Sequence, residues 1–199
     1  MKRIFLLSPA KATGRRAQLL LNPAAPFALA RQFHREGLPL AEVFTFASGL
    51  YFRGKINYAR QFADMDAGDE IRLITTNAGL VEPALLVRPK DLHAFGAVDI
   101  SEDDPRYHAP LKRDAAALAK QLSRDGVALL LGSIATTKYR DGLLACFGER
   151  LHFPADFVGR GDMSRGALLL RAAREKRELA YTPVLGATFS GKRAPRVGK

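Results

Sequence analysis

Along most of the chain, short apolar runs alternate with stretches whose apolar residues recur every three or four positions. That alternation predicts an α/β domain, a mostly parallel sheet of five or six strands with helices on both faces. Strands are expected at Arg3–Leu7, Glu42–Ala47, Glu70–Thr75, Val127–Leu131, Leu151–Phe153 and Leu179–Pro183. The fourth is the plainest, because Val-Ala-Leu-Leu-Leu suits a strand covered on both faces. Helices are expected at Pro26–Arg35, Asn57–Ala63, Lys112–Ser123, Lys138–Phe147 and Met163–Lys176, where apolar residues such as Leu118 and Leu122, or Leu143, Leu144 and Phe147, fall on one side. The segment 96–110 breaks the pattern. It holds the acidic run Ser101-Glu102-Asp103-Asp104-Pro105 and reads as a surface crossover.

With 199 residues, 47% of them apolar and 26% charged, the chain has the make-up of one folded domain, expected over residues 1–187. Residues 188–199 read as a basic tail with little to bury, whose order would need a partner. Charge changes the picture more than length does: 31 Lys and Arg against 20 Asp and Glu leave a formal net charge of +11, which favours an anionic partner. A single cysteine, Cys146, excludes an intramolecular disulfide framework and sites built from several thiolates, and fits a cytoplasmic location. The opening Met1–Leu7 imitates a secretory leader, but Ser8-Pro9 stops the apolar run and cations follow, so a strand is expected there. No window is long and apolar enough for a membrane span.

In an open α/β sheet, ligands bind beyond the carboxyl ends of the strands, so the loops after each strand carry the functional signal. Here they are Ser8-Pro9-Ala10-Lys11-Ala12-Thr13-Gly14-Arg15-Arg16, Ser48-Gly49-Leu50-Tyr51-Phe52-Arg53-Gly54-Lys55, Thr75-Thr76-Asn77-Ala78-Gly79, Gly132-Ser133-Ile134-Ala135-Thr136-Thr137-Lys138, and the stretch from Pro154 to Gly166. Four of the five contain cations. Glycine lets backbone approach an anion, hydroxyls donate to it, and a helix start nearby adds unsatisfied N–H groups. Ser8, Lys11, Arg15, Ser48, Tyr51, Arg53, Lys55, Ser133, Thr136, Thr137 and Lys138 are therefore candidate phosphate or nucleic-acid ligands. Thr136 or Thr137 is placed to cap the helix after the fourth strand. The rival reading of each loop is a turn with a helix cap. Neither a Walker A motif nor a Gly-x-Gly-x-x-Gly fingerprint occurs.

The fifth loop contains Gly159-Arg160-Gly161-Asp162-Met163-Ser164-Arg165-Gly166. Arg160, Ser164 and Arg165 are candidates to hold phosphate oxygens, and Asp162 either caps the following helix, pairs with an arginine or serves as a catalytic carboxylate. In Tyr51-Phe52-Arg53-Gly54-Lys55, aromatics interleave with cations, as in sites that stack a base while gripping its backbone. Phe52 reads as packed, whereas Tyr51 and Tyr139 each carry a hydroxyl that favours a wet boundary. Cys146 reads as an inert thiol, no Gly-x-Ser-x-Gly elbow occurs, and His34, His93, His108 and His152 have no metal-ligand spacing. No cofactor or metal is implied.

Three motifs in order, Leu6-Leu7-Ser8-Pro9-Ala10-Lys11, Ser48-Gly49-Leu50-Tyr51 and Arg160-Gly161-Asp162-Met163-Ser164-Arg165, resemble those of the YaaA family of peroxide-stress proteins. Phe52 stands where that family has Gly, and Gly159 where it has Ala. The resemblance implies a basic cleft that binds DNA, including distorted or partly open duplexes, with a role in oxidative-stress protection. Carried across, it points to Ser8, Lys11, Ser48, Tyr51, Arg160, Met163, Ser164 and Arg165.

Two functions remain open on the sequence. One is a DNA-binding protein whose partner is DNA, distorted or single-stranded strands included, or another phosphate-bearing ligand. The other is an enzyme acting on a nucleotide or nucleobase, cleaving or exchanging an N-glycosidic bond with Asp162 as key carboxylate. A positive surface that docks ribosomal RNA or an acidic protein fits the charge as well.

Overall fold

The computed structural model describes residues 1–101, 103–135 and 137–187. Glu102, Thr136 and the basic segment 188–199 lie outside the described residues.

In chain order the elements are β1 (Arg3–Leu7), α1 (Arg15–Leu21), α2 (Ala28–Arg35), β2 (Leu38–Pro39), α3 (Leu40–Ser48), α4 (Leu50–Phe62), β3 (Glu70–Ile74), β4 (Leu80–Val81) and β5 (Leu86–Val87). They continue with α5 (Pro89–Gly96), α6 (Pro105–Gln121), β6 (Val127–Leu131), α7 (Thr137–Phe147), β7 (Leu151–Pro154), α8 (Asp162–Glu175) and β8 (Tyr181–Pro183). Six strands form one sheet in the order β4-β3-β1-β6-β7-β8, and β2 pairs with β5 in a separate ribbon. The pairs β1–β3, β1–β6 and β6–β7 are parallel, while β4 and β8 close the edges antiparallel. The fold is thus an α/β single domain with a mostly parallel sheet.

Consecutive residues of the central strands, Ile4 to Leu7 and Ala128 to Leu131, are buried without alternation. Side chains on both faces of these strands are therefore covered, and an unbroken apolar run is the sequence such a strand requires. Among the described residues, no helix is long and apolar enough to cross a membrane.

The expected strand over Glu42–Ala47 is helix α3. Leu40, Ala41, Val43 and Phe44 are its buried residues, and their spacing is helical once Leu40 and Ala41 are counted. Leu80–Val81, too short to stand out as a run, supplies the sixth strand instead. The stretch after Ser48 is consequently no strand-end loop. Gly49, at φ +64°, joins α3 directly to α4, so Tyr51, Arg53 and Lys55 ride on a helix. The 96–110 segment is also more than a crossover, because α6 begins at Pro105, where the Asp104 side chain caps the Arg106 N–H.

Helices α4 and α8 pack unusually closely. A Cβ on Gly54 would lie 2.7 Å from the Gly166 carbonyl oxygen, and one on Gly166 would lie 2.8 Å from the Tyr51 Cα. These two glycines let the backbones touch, which brings Tyr51 and Lys55 of one helix against Asp162 and Arg165 of the other.

Candidate functional site

Strand β1 has β3 on one side and β6, which comes later in the chain, on the other, so the chain reverses its winding direction there. Loops leaving β1 and β6 must diverge at such a point, and the gap between them is where open α/β sheets bind ligands. A cavity of about 670 Å³ opens there. Its walls come from Ser8 to Thr13 after β1, Ala47, Ser48 and Tyr51 at the α3–α4 joint, and Ser133, Lys138 and Tyr139 around the start of α7. Asp162, the first residue of α8, and the stretch Phe95 to Ile100 with Thr76 complete it.

Seven of the sequence candidates therefore meet: Ser8, Lys11, Ser48, Tyr51, Ser133, Lys138 and Asp162. Lys11 and Lys138 are exposed at this cavity, and Asp99 and Asp162 face them, so the lining carries both signs of charge.

The other candidates lie elsewhere. Arg15, first residue of α1, and Arg53, on α4, are exposed away from the lining. Thr137 is the first helical residue of α7 and exposed, and Thr136 lies outside the described residues. Arg160 is used within its own loop, its Nε donating to the Asp156 carbonyl at 2.8 Å and its Nη1 to Ser164 Oγ at 3.1 Å. Arg165 is a scaffold residue with a side chain only 8% exposed, and it donates to the Phe157 carbonyl twice at 3.3 Å. Its Nη1 sits 3.5 Å from Asp162 Oδ1, so the Asp–Arg pair forms and Gly161, not Asp162, occupies the cap position. Such burial leaves Arg165 positioned behind the cavity wall.

Lys55 is the sharpest correction. It is not a surface cation but a side chain 1% exposed beneath the cavity. Its Nζ donates to the Ser8 carbonyl at 2.5 Å and lies 2.9 Å from Ser8 Oγ. The same atom sits 4.3 Å from the centre of the Tyr51 ring and 5.1 Å from that of Phe52. Burial is the dominant influence and pushes its pKa down to about 7, Asp162 opposing that shift and Arg165 adding to it.

Tyr51 and Tyr139 flank this group. Burial raises both phenol pKa values. The Tyr139 hydroxyl accepts from the Ser133 N–H at 3.2 Å and neighbours Ser8, whereas the buried Tyr51 hydroxyl finds no partner at hydrogen-bond geometry. Arg165 lies near enough to pull the Tyr51 pKa back against burial. Phe52 is fully buried, packed edge-on against Phe44 at 5.3 Å.

The sequence does not mark Asp99 and Phe95 as wall residues, whereas Tyr139 stands at the boundary that its hydroxyl suggests and Thr76 comes from the loop after the third expected strand. The only signal for the first was its place in a segment that broke the helix–strand alternation. Thr76 Oγ1 donates to the Phe95 carbonyl at 2.6 Å and ties that wall to the sheet. Among the described residues no group of three or more His, Cys, Asp or Glu is arranged to hold a metal ion. Compared with known protein families, with curated proteins and with solved structures, the chain matches none.

Proposed function

We propose that this chain binds DNA and seats a single unpaired nucleotide in the switch-point cavity, with its phosphate toward Lys11 and Lys138 and its base among Tyr51, Tyr139 and Phe95. The observation that carries this reading is convergence: residues from three motifs distant in sequence, Ser8 to Lys11, Ser48 with Tyr51, and Asp162, line one cavity. About 670 Å³ lies within the range of small-molecule sites and exceeds what one nucleotide needs. Its mixture of cations, hydroxyls and aromatic rings suits a ligand that is part phosphate and part heterocycle. A net charge of +11 draws the protein to a polyanion. The YaaA-like motifs extend the proposal to protection of DNA under peroxide stress.

Fluorescence anisotropy with labelled oligonucleotides tests it. Affinity for single-stranded and gapped DNA should exceed that for intact duplex and fall steeply between about 50 and 200 mM salt. The Lys11→Ala/Lys138→Ala double variant should bind more weakly, with the log–log salt slope shallower by about 1 to 2. Binding that ignores salt, or a double variant that behaves like the parent, overturns the reading.

Asp162 favours a second reading. Its side chain is 70% exposed and belongs to the cavity wall, the position a carboxylate needs to act on a bound nucleotide. Base release from nucleosides or damaged oligonucleotides by the parent and not by Asp162→Asn would support N-glycosidic chemistry. No release, or equal release by both, removes it.

A further inference from the structure

The cavity floor holds chemistry that DNA binding does not use. Ser8 lines the cavity, and its Oγ stands 2.9 Å from the amine of a lysine that has no carboxylate within hydrogen-bond reach. The Ser8 carbonyl takes one N–H of that amine at 2.5 Å, which fixes the nitrogen's orientation. The amine donates to Oγ as well, and the hydroxyl hydrogen has the Leu131 carbonyl as its acceptor at a long 3.4 Å; a neutral amine keeps one lone pair, so turning that hydrogen toward Nζ sets up the transfer across the same 2.9 Å. Beside them stands the Tyr51 hydroxyl, in a residue 7% exposed that lines the same cavity; Arg165 approaches its oxygen as a donor, and its own hydrogen has no acceptor among the described residues. A buried O–H with no acceptor is costly unless something else uses it.

We propose that Ser8 is a nucleophile toward the carbonyl carbon of carboxylic esters, with Lys55 as its general base and the Tyr51 hydroxyl as a donor to the developing oxyanion. This goes beyond the DNA reading and does not depend on it. Ser8 Oγ forms a bond to the carbonyl carbon as its proton passes to the Lys55 Nζ lone pair, and the carbonyl electron pair moves onto oxygen. The tetrahedral intermediate collapses, the C–O bond to the leaving alcohol breaks, and Lys55 returns the proton to that alkoxide. Water then attacks the acyl-serine, again giving its proton to Lys55, and Ser8 leaves with that proton as the carboxylic acid is released.

An acyl carbon fits this site better than a phosphoryl group. The Asp162 carboxylate and the Arg165 guanidinium act on Lys55, Tyr51 and Tyr139 with opposite signs, so the floor has no unopposed cation to hold a dianionic phosphoryl group. A neutral ester needs none. The charged groups that act on Lys55 are Asp162 and Arg165 from α8; Ser8 takes its hydrogen bonds, and the Tyr51 and Phe52 rings of its own helix lie beside its amine. Burial outweighs them, leaving the amine neutral in a substantial fraction of molecules at neutral pH.

The test is to treat the full chain with an alkyl fluorophosphonate, a probe that takes up a serine nucleophile by losing fluoride, and with p-nitrophenyl butyrate. Intact mass and peptide mapping should show one adduct, on Ser8, and ester hydrolysis should rise with pH through a midpoint near 7. Ser8→Ala should abolish both, Lys55→Arg should slow labelling by about 10²-fold or more, and Tyr51→Phe should slow hydrolysis about tenfold with the midpoint kept. No adduct, an adduct elsewhere, or labelling that survives Ser8→Ala overturns the proposal. So does a labelling rate of the parent that stays flat from about pH 6 to about pH 9, a measurement that decides the matter even where Lys55→Arg fails to fold.

Discussion

Two cations flank the two ends of β1, Arg3 part-buried and Lys55 fully buried, and the protein treats them in opposite ways. At the amino end, Arg3 donates from Nε to Asp69 Oδ2 at 2.9 Å, from Nη1 to Glu178 Oε1 at 2.8 Å and from Nη2 to the Phe62 carbonyl. Burial works against its charge, but Glu178 and Asp69 together outweigh that and raise its pKa. At the carboxyl end, Lys55 meets only a carbonyl, a hydroxyl and two aromatic rings, and burial wins. A guanidinium, charged at any working pH, is tied into the scaffold by its anionic partners, while an amine given neutral partners is left near its titration point. The difference marks the carboxyl edge of the sheet as the end where chemistry is possible.

The largest effect that tests this contrast is removal of Asp69. It is 2% exposed and accepts from the Arg3 N–H, Arg3 Nε and the Asp64 N–H at 2.7, 2.9 and 3.0 Å. Asp69→Ala should destabilise the protein by about 2–4 kcal/mol in urea unfolding at neutral pH, since it leaves two backbone N–H groups and the Arg3 Nε without their acceptor. A loss below about 1 kcal/mol would erase the distinction between the two ends.

Next comes the contact that holds Lys55 in place. Gly166→Ala gains up to about 1 kcal/mol in helix propensity. Its new Cβ, however, would meet the Tyr51 Cα at 2.8 Å and the Leu50 carbonyl oxygen at 3.0 Å, both of them backbone. A net loss of about 1–3 kcal/mol is expected by denaturant melt, together with a fall in ester reactivity. A stabilised variant would mean that the two helices separate freely.

Lys55→Met sharpens the comparison through pH. The unfolded chain keeps the Lys55 proton up to about pH 10.4, whereas the folded chain releases it near about 7. The folded state therefore binds fewer protons between those values, and stability attributable to Lys55 rises with pH across that window and is flat below it. Lys55→Met should be no less stable than the parent at pH 7 and should lack this rise, measured as unfolding free energy from about pH 7 to about pH 9.5. A parent whose stability is level there would place Lys55 with Arg3 among the fixed charges. The smallest effect belongs to the rim: Lys11→Ala/Lys138→Ala should leave unfolding free energy within about 0.5 kcal/mol of the parent while changing DNA affinity.

Much of this was legible in the chain. Arg3–Leu7 and Val127–Leu131 announce themselves because an unbroken run of four or five apolar residues can be buried on both sides only in the middle of a covered sheet. The residues that leave those strands, Ser8, Lys11, Ser133 and Lys138, follow from the rule that ligands gather at strand ends, and so does Asp162 at the head of its helix. Local pattern could not settle Glu42–Ala47, whose alternation fits a strand as well as a helix that starts two residues earlier. Nor could it find Leu80–Val81, where two residues make an edge strand only because β3 is there to pair with them.

Depth was decided by tertiary structure alone. Lys55 and Arg165 stand among the candidate phosphate ligands, a role that needs them near water, where most cations are found. They lie inside because Gly54 and Gly166 allow α4 and α8 to meet backbone to backbone, and no one-dimensional pattern records which two glycines will face each other. The sequence by itself determined that the residues after β1 and β6, Ser8 and Lys11 among them, stand at the carboxyl edge of the sheet. The packing of two helices decided that Lys55 touches Ser8 and not water, because burial is a property of neighbours brought together in space and not of spacing along the chain.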